Sequence, residues 1–402
     1  MNNWKLAWQY VPVPYEVEIG VLENKTQRFL IPNNLYGNKV KVKFHNYYGA
    51  DIMELDHVTI GKKKRWSEMI TDISVMTYQE NTKIEVAPGD SFWSDEIPFV
   101  VTPKDDLVVS CYFKKTFSVQ SVCCNWSKQT WMSRFLDGDC TKEQMFEGKN
   151  SVETFTVFNY EENNADAEAG IWAVALDIES GREAETIAFF GDSITHMSYF
   201  TDAFMKVVRE QRPGEVTVLN GGIGGNRLAY HAVQVSEIPG EGKLFGESAL
   251  DRFERDVYSN TCPDIVFIME GINDCTHGFT FHKGNEIPTP ELLWEAIHTL
   301  IVKGQKRGSK VVISTILPFG FVGESFRDAA EKIRWETNEL IRKNHNLADG
   351  FIDLDLLMRD EKNPHMMCDG MHIGDWIHPN KAGGIKIAEK LVQELVAGLE
   401  RV

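Results

Sequence analysis

The stretch Ile187-Ala188-Phe189-Phe190-Gly191-Asp192-Ser193-Ile194 decides the fold that we predict for the second part of this chain. Its first four residues form an apolar run without alternation, which is typical of a strand buried on both faces of a parallel sheet. A glycine and an aspartate end the run, and a helix is predicted from about Ser198 to Gln211. Ser193 is therefore expected on the turn from strand to helix, at the sheet edge where open α/β sheets bind ligands.

The sequence from about residue 185 onward alternates between strand and helix patterns. Apolar runs predict five strands, at residues 187–190, 216–219, 265–269, 311–315 and 351–354. Helices are predicted between them, including one that begins with the N-cap pair Thr289-Pro290, one marked by apolar residues from Phe326 to Ile341, and one from Lys381 onward. This alternation predicts an α/β domain with a parallel, doubly wound sheet.

Residues 1 to about 180 have an all-β pattern instead. Apolar residues alternate with lysines at 39–44, which predicts a strand with one solvated face, and the β-rich run at 107–113 predicts another. Short strands between turn signals predict a β-sandwich or jelly roll. The polar segment from Glu161 to Gly170 is predicted to be a loop, and residues 171–178 the last strand. We therefore predict two domains, 1–182 and 183–402.

Six of the ten tryptophans precede position 132. They are Trp4, Trp8, Trp66, Trp93, Trp126 and Trp131. These side chains form either a surface that stacks on sugars or a part of the sandwich core. The core is favoured, because large aromatic side chains are usually buried.

Composition limits the partners and the location of the protein. With 402 residues, of which 43% are hydrophobic, the chain is long enough for two packed domains. Its net charge of −17 argues against binding to nucleic acid or to an anionic membrane. Neither a signal peptide nor an apolar run of about 18 residues is evident. Seven scattered cysteines fit reduced thiols, so we expect a cytoplasmic protein.

The loops that follow the predicted strands carry residues suited to acyl transfer. This reaction needs a hydroxyl nucleophile, an imidazole base, a carboxylate that orients the base, and N–H donors for an oxyanion. Ser193, His378 and Asp375 supply the first three. The backbone N–H of Gly225 and the side-chain amide of Asn273 supply the donors. Each signal alone is weak, but their position at the ends of neighbouring strands predicts an esterase-type site.

Four motif blocks resemble those of the SGNH hydrolase superfamily, also called GDSL hydrolases. The blocks are Gly-Asp-Ser-Ile at 191–194, Asn-x-Gly-x-x-Gly at 220–225, Gly-x-Asn-Asp at 271–274 and Asp-x-x-His-Pro-Asn at 375–380. Longer signatures at 222–228, 248–256 and 270–274, with segments at 45–49, 87–90 and 93–95, are similar to a xylan-esterase-like branch that carries an N-terminal β-sandwich. The resemblance implies a flavodoxin-like three-layer α/β/α SGNH hydrolase domain, preceded by an all-β, jelly-roll-like sandwich. It also implies a serine esterase with no metal and no cofactor.

The resemblance also implies roles for individual residues. Ser193 would be the nucleophile, His378 the base and Asp375 the group that orients the base. The oxyanion hole would consist of the backbone N–H groups of Ser193 and Gly225 and the side-chain amide of Asn273.

One departure from the family pattern leaves two candidate Asp–His pairs. The usual ending of these enzymes is a compact Asp-Gly-x-His-Pro. In this chain Asp369-Gly-Met-His372 carries the Asp-Gly, whereas Asp375-Trp-Ile-His378 carries the His-Pro. The second pair is favoured over Asp369 and His372, because Pro-Asn and the following helix would hold that histidine in position.

Five further residues are candidates for substrate contacts. Arg227 would either grip a substrate oxygen or form an ion pair with an acid such as Glu270 or Asp256. Trp376 would either stack on a sugar ring or pack beside the catalytic histidine. The complete set is Asp192, Asn226, Arg227, Glu270 and Trp376.

Other histidines near the predicted site receive no catalytic role. His196 and His277 are expected to be pocket-wall or solvated residues. His365, Cys368 and His372 have a spacing that a zinc site could use, but a fourth ligand is not evident, so no metal site is predicted.

The sequence therefore predicts an SGNH-type serine esterase that removes small acyl groups, acetyl in particular, from a carbohydrate such as a xylo-oligosaccharide. One alternative is a lysophospholipase- or thioesterase-type acylhydrolase with the same triad. Another is a carbohydrate-binding protein with a degenerate hydrolase domain. The expected partner is a small acylated oligosaccharide.

Overall fold

The computed structural model describes residues 3–15, 17–147, 155, 165–235, 239–320 and 325–396. The chain divides into two compact units, one formed by Met1–Ala184 with Arg212–Thr217 and the other by Glu185–Gln211 with Val218–Val402. The domain boundary between residues 182 and 183 stays a prediction. Within the described ranges, no helix is long and apolar enough to cross a membrane.

The first unit consists of β-strands. They are β1 (Trp4–Gln9), β2 (Val13–Pro14), β3 (Gly20–Leu22), β4 (Lys25–Ile31), β5 (Gly37–His45), β6 (Met53–Leu55), β7 (His57–Lys64), β8 (Ile70–Val75), β9 (Ile84–Val86), β10 (Ser91–Trp93), β11 (Ile97–Val101), β12 (Asp105–Phe113), β13 (Phe117–Val119), β14 (Ser121–Asn125), β15 (Met132–Asp137), β16 (Asp166–Glu168) and β17 (Ile171–Ile178). Two five-stranded antiparallel sheets dominate. One has the order β1-β17-β5-β10 with β11 also paired to β5, and the other has the order β15-β4-β12-β7-β8.

Aromatic side chains fill the space between the two large sheets. Trp8 of β1 and Phe29 of β4 meet with ring centroids 4.9 Å apart, and the Trp131 ring lies 4.9 Å from Phe29. This contact confirms a sandwich of two antiparallel sheets, while the jelly-roll topology stays a prediction. The alternation in β5 is also as predicted, with Val40, Val42 and Phe44 fully buried.

The tryptophans of this unit do not all have the predicted place in the core. Trp8, Trp126 and Trp131 are buried. Trp66 has an exposed fraction of 76%. The half-buried rings of Trp4 and Trp93 lie on either side of the Lys41 ammonium group, at 4.4 and 4.8 Å from the ring centroids. The core interpretation is therefore correct for three of the six.

The predicted loop at 161–170 needs a correction. Residues 161–164 lie outside the described residues, but β16 (Asp166–Glu168) pairs antiparallel with β14. The segment is polar, yet Ala167 and Glu168 are buried by this pairing. Because the partner strand lies about 40 residues earlier in the chain, local sequence patterns do not reveal the pairing.

The second unit has the predicted α/β order. Its strands are β18 (Glu185–Gly191), β19 (Val216–Gly222), β20 (Ile265–Met269), β21 (Lys310–Ser314) and β22 (Gly350–Ile352). Its helices are α1 (Ser193–His196), α2 (Tyr199–Gln211), α3 (Ala249–Tyr258), α4 (Ile272–Thr280), α5 (Pro290–Lys306), α6 (Arg327–Asn344), α7 (Leu354–Met358) and α8 (Lys381–Leu395). Short 3₁₀ turns occur at Pro239–Phe245, Gly284–Glu286 and His345–Leu347. The parallel sheet has the order β19-β18-β20-β21-β22.

The strand β18 is buried on both faces, as its sequence predicted. Phe189 contacts Phe200 and Phe204 of α2, with centroids 5.3 and 5.1 Å apart. Its neighbour Phe190 contacts Phe253 of α3 at 5.0 Å. Successive side chains of a strand point to opposite faces, so these contacts show that helices cover both faces of β18.

The helix boundaries agree with the sequence prediction in most places. Thr289 caps α5, and its hydroxyl oxygen accepts the N–H of Leu292 at 3.2 Å. Two details differ. A separate short helix, α1, precedes the helix predicted from Ser198, and Leu354 begins α7 instead of ending the last strand.

Candidate active site

Ser193 lies at the turn between β18 and α1. The side chain of Asp192 caps this short helix by accepting the N–H of Ile194 at 2.9 Å. Gly191 is required before it, because a Cβ there would lie 2.4 Å from the carbonyl oxygen of Met269. The turn thus directs the Ser193 hydroxyl to the carboxyl end of the sheet, as the sequence predicts.

Asp375 and His378 lie just before α8 and reach the Ser193 hydroxyl. His378 Nε2 is 2.7 Å from Ser193 Oγ, and His378 Nδ1 is 2.5 Å from Asp375 Oδ2. The other oxygen of Asp375 accepts the backbone N–H groups of Ile377 and His378, both at 2.9 Å. The carboxylate is thereby fixed on both oxygens, and it holds the imidazole in one orientation.

The protonation states of this arrangement follow from its hydrogen bonds. Burial alone would raise the pKa of Asp375, but the hydrogen bonds from His378 and from the backbone outweigh it and lower that pKa below its ordinary value. The ionised carboxylate accepts the Nδ1–H of His378. When the ring carries its proton on Nδ1, Nε2 is an acceptor for the Ser193 hydroxyl. This arrangement can transfer a proton from a serine to an imidazole.

The other Asp–His pair has a different geometry. His372 Nδ1 accepts the backbone N–H groups of Gly374 at 3.0 Å and Trp376 at 3.3 Å. The exposed Asp369 accepts the N–H of Gly370. Of the two pairs, the geometry brings the second, Asp375 with His378, to Ser193.

The residues predicted to hold an oxyanion lie on β18–α1, on the loop after β19 and on α4. Gly225 has a φ of 72°, and a Cβ there would lie 2.1 Å from the Phe245 ring, so only glycine fits. Asn273 Nδ2 donates one hydrogen to the carbonyl oxygen of Asn226 at 2.8 Å. An amide nitrogen carries two hydrogens, so one remains for a ligand.

Four of the five predicted substrate contacts are buried in the framework below the site. Asp192, Asn226, Arg227 and Glu270 each have an exposed fraction of 4% or less. Asn226 donates both amide hydrogens to the carbonyl oxygens of Phe245 and Glu247, at 2.6 and 2.7 Å. These exposed fractions are similar to that of Ser193, which is 4%, so burial does not exclude contact with a substrate, and the predicted contacts stay a prediction.

Arg227 forms an ion pair, but not with either predicted acid. Its Nη1 lies 2.8 Å from Glu286 Oε2, and its Nε donates to the carbonyl oxygen of His231 at 3.1 Å. The prediction of a structural ion pair is therefore correct, and the choice of Glu270 or Asp256 is wrong.

Both of those acids pair with Arg252, a residue of α3 to which the sequence analysis gave no role. Arg252 Nη1 is 3.1 Å from Asp256 and Nη2 is 3.3 Å from Glu270. The guanidinium also donates to Gly191 O at 2.8 Å, to Gly221 O at 2.7 Å and to Asn226 Oδ1 at 2.7 Å. One fully buried cation thus joins the ends of β18 and β19 to the loop after β20. The sequence feature that could have identified Arg252 is its position within the signature at 248–256.

Trp376, the fifth predicted substrate contact, directly follows Asp375 and is half-buried. Its ring packs on that of His372, with centroids 4.2 Å apart. Its φ of 64° is a left-handed conformation, which costs a non-glycine residue roughly 1 to 2 kcal/mol. The ring thus packs on a histidine, His372 instead of the predicted His378, while stacking on a sugar stays a prediction.

Buried acids near the strand ends differ from Asp375 in the direction in which their pKa is shifted. Burial raises the pKa of Asp192 to about 7 and that of Asp274 to about 6, although Asp274 accepts the N–H groups of Leu228 and Ala229. Burial and the neighbouring Asp192 raise the pKa of Glu270 well above its ordinary range. Burial thus raises the pKa of these three carboxyl groups, whereas hydrogen bonds lower that of Asp375.

The zinc spacing noted in the sequence does not produce a metal site. His365 Nδ1 lies 2.8 Å from Glu331, and the Cys368 thiol donates to the carbonyl oxygen of Arg359. In the part of the chain that the structure describes, no group of three or more His, Cys, Asp and Glu side chains could hold a metal ion.

Comparison with known proteins gives one family match. A family model described as GDSL-like lipase/acylhydrolase matches residues 187–391, just over half of the chain. No curated protein matches the sequence.

Solved structures resemble about half of the chain. An acetyl xylan esterase, AlAXEase, is 22% identical, with a TM-score of 0.39, over 52% of this chain and 100% of its own. A catalytic mutant of Axe2, an acetylxylan esterase from Geobacillus stearothermophilus, is 18% identical, with a TM-score of 0.41, over 56% of this chain and 99% of its own.

Proposed function

The chain belongs to the GDSL-like lipase/acylhydrolase family, and on this premise we propose that it is an SGNH-type serine esterase for small acyl groups, acetyl in particular, on carbohydrates such as xylo-oligosaccharides. The observation that carries the proposal is the hydrogen-bonded series from Ser193 Oγ to His378 and from His378 to Asp375, with distances of 2.7 and 2.5 Å. A buried serine with an imidazole acceptor and a fixed carboxylate is suited to nucleophilic attack on an ester.

The proposed reaction has two halves. Ser193 Oγ attacks the ester carbonyl carbon while His378 Nε2 takes the hydroxyl proton. The negative charge on the carbonyl oxygen is stabilised by the N–H groups of Ser193 and Gly225 and by the Asn273 amide. The tetrahedral intermediate collapses as His378 gives the proton to the leaving sugar oxygen, which leaves an acyl-enzyme. Water then attacks the acyl-enzyme with His378 as the base, and acetic acid and free Ser193 are released.

The choice of an acetylated carbohydrate rests on the longer signatures at 222–228, 248–256 and 270–274, which resemble the xylan-esterase-like branch. We propose that the protein is located in the cytoplasm. This location is supported by the seven cysteines, all of which are free thiols.

A Ser193→Ala variant tests the chemistry. We expect it to lose roughly 10³- to 10⁶-fold in turnover of 4-nitrophenyl acetate, since the nucleophile is removed. Ser110→Ala is a matched control, because it removes a similarly buried hydroxyl from the β-unit. A fluorophosphonate probe should label the wild type at Ser193 and leave the variant unlabelled. Equal turnover by Ser193→Ala and the wild type would contradict the proposal.

The substrate class needs two separate measurements. Rates on acetyl and octanoyl esters of 4-nitrophenol distinguish a small-acyl esterase from the lysophospholipase- or thioesterase-type alternative. We expect a higher kcat/KM for acetyl. Mass spectrometry of acetylated xylo-oligosaccharides then tests the sugar, with Ser193-dependent loss of acetyl groups as the expected result. A preference for octanoyl would favour the alternative.

A further inference from the structure

The loop that carries Gly225 is packed closely against the short helix that begins with Ser193. Asn220 Nδ2 donates to the carbonyl oxygen of Thr195 at 2.8 Å, and Asn220 Oδ1 accepts the N–H of Gly222 at 2.9 Å. A Cβ on Gly222 would lie 2.3 Å from the backbone nitrogen of His196. The end of β19, from which this loop continues, is therefore in close backbone contact with α1.

His196 adds a side-chain contact to this junction. It is the last residue of α1, and its exposed fraction is 3%. Its Nδ1 accepts the backbone N–H of Gly224 at 3.0 Å. An acceptor nitrogen has no hydrogen, so the neutral ring carries its proton on Nε2. Burial, with the nearby Arg252 cation, lowers the pKa of His196 to about 3, so the ring remains neutral in the pH range of an esterase assay.

The residue that His196 holds directly precedes a proposed oxyanion donor. Gly224 and Gly225 both lack a Cβ, so their backbone has more conformational freedom than that of other residues. Packing of Gly225 against Phe245 restrains one side of the pair, and the hydrogen bond from Gly224 to His196 restrains the other. Oxyanion stabilisation requires a donor that is already oriented before the charge forms.

We propose that His196 is a positioning residue, which orients the Gly225 N–H for the oxyanion by accepting a hydrogen bond from Gly224. The proposal rests on the proposed esterase function. His196 does not touch the reacting atoms, and it acts through the loop. It couples the donor loop to the same helical turn that carries Ser193, so nucleophile and donor keep a fixed relation.

Kinetics of three variants test this role. His196→Ala removes the acceptor, and we expect kcat for 4-nitrophenyl acetate to fall roughly 10- to 100-fold with KM nearly unchanged, because the donor acts on the transition state. His196→Asn places an amide oxygen near the position of Nδ1 and should restore kcat to within a few-fold of the wild type. His45→Ala is the control, because it removes an equally buried imidazole from the β-unit.

Hydrogen–deuterium exchange gives a second measurement that does not need activity. Peptides covering 220–228 should exchange faster in His196→Ala and at the wild-type rate in His196→Asn. Unchanged kcat and exchange in His196→Ala would overturn the positioning role, as would an Asn variant as impaired as the Ala variant. A wild type that hydrolyses no ester would overturn the proposed function itself, and the exchange rates would then decide whether His196 holds the loop.

Discussion

Two Asp-Xaa-Xaa-His segments follow one another before α8, and they use their histidines in opposite ways. In the segment Asp375–His378, a side-chain carboxylate lies 2.5 Å from Nδ1 and Nε2 faces Ser193. In the segment Asp369–His372, Nδ1 accepts two backbone N–H groups. The first arrangement places the proton of a neutral ring on Nδ1, and the second places it on Nε2.

The difference shows that spacing alone does not make a histidine a base. A general base at Nε2 needs a free lone pair on that nitrogen, and a hydrogen-bond acceptor at Nδ1, here the Asp375 carboxylate, favours the required tautomer. The backbone around His372 supplies donors instead of an acceptor. This histidine therefore organises the turn that leads to its neighbour, in the same way that His196 organises the loop at Gly224.

Exchanging the two histidines for alanine should produce the largest difference. We expect His378→Ala to lose about 10⁴- to 10⁶-fold in kcat for 4-nitrophenyl acetate, because the base is removed. His372→Ala should lose less than about tenfold, since it removes only a packing and hydrogen-bonding contact with the turn. Purified variants with matching circular dichroism spectra should be assayed together. A larger loss in His372→Ala than in His378→Ala would reverse the assignment.

The two aspartates should differ less, but in the same direction. Asp375→Asn presents an amide to Nδ1 and favours the wrong tautomer of His378, so we expect kcat to fall roughly 10³- to 10⁴-fold. Asp369 is exposed, and in the contacts described its side chain accepts only the N–H of the next residue. We therefore expect kcat of Asp369→Asn to stay within about threefold of the wild type. Steady-state kinetics at pH 7 and pH 9 make the comparison. Wild-type kcat in Asp375→Asn would exclude the proposed role of this carboxylate.

The sequence predicted the parts of this site that depend on local patterns. Apolar runs located the five strands of the second unit, and Ser193, Gly225 and Asn273 lie in the segments that follow three of these strands. Thr289 caps α5 because a capping hydroxyl is recognised from a few neighbouring residues. These features are encoded within short segments, so they can be predicted without knowledge of the tertiary structure.

The ion pairs between distant segments and the tautomers were beyond sequence analysis. Arg227 and Arg252 lie on the same connection, yet one pairs with Glu286 and the other with Glu270 and Asp256. Asp256 lies four residues after Arg252 on α3, so a local signal exists for that pair. The contacts with Glu286 and Glu270 depend on how separate segments meet, and the sequence contains no local signal for them. For the same reason His196 was interpreted as a wall or solvated residue, because its acceptor role exists only when Gly224 lies against it.

Asn380 contacts the segment Asp369–His372 and caps α8, which follows the segment Asp375–His378. Its replacement should therefore reduce the structural difference between the two segments. Its Nδ2 donates to the carbonyl oxygens of Gly370 and His372, both at 2.9 Å, and its Oδ1 caps α8. We expect Asn380→Ala to lower the free energy of unfolding by about 1 to 2 kcal/mol and to reduce kcat moderately, since His378 lies two residues earlier. Urea unfolding measures the first effect. Asn380→Asp, which keeps the cap but not the two donated bonds, separates the two contributions. Unchanged stability in Asn380→Ala would show that the cap is not needed.

The smallest expected effect is a difference between Asp375 and Asp369 in how the free energy of unfolding depends on pH. The pKa of Asp375 is lower in the folded protein than its ordinary value, so the folded state binds this proton less tightly than the unfolded state. Stability from this group is therefore complete above the unfolded pKa of about 3.9 and is lost as the pH falls through the lower folded pKa. The stability difference between the wild type and Asp375→Asn, measured in urea from pH 6 to pH 3, should shrink towards low pH. It should shrink more than the difference for Asp369→Asn, because only the Asp375 carboxylate faces an imidazole and two backbone N–H groups. A pH-independent difference for Asp375→Asn would mean that the hydrogen bond to His378 does not favour the ionised carboxylate.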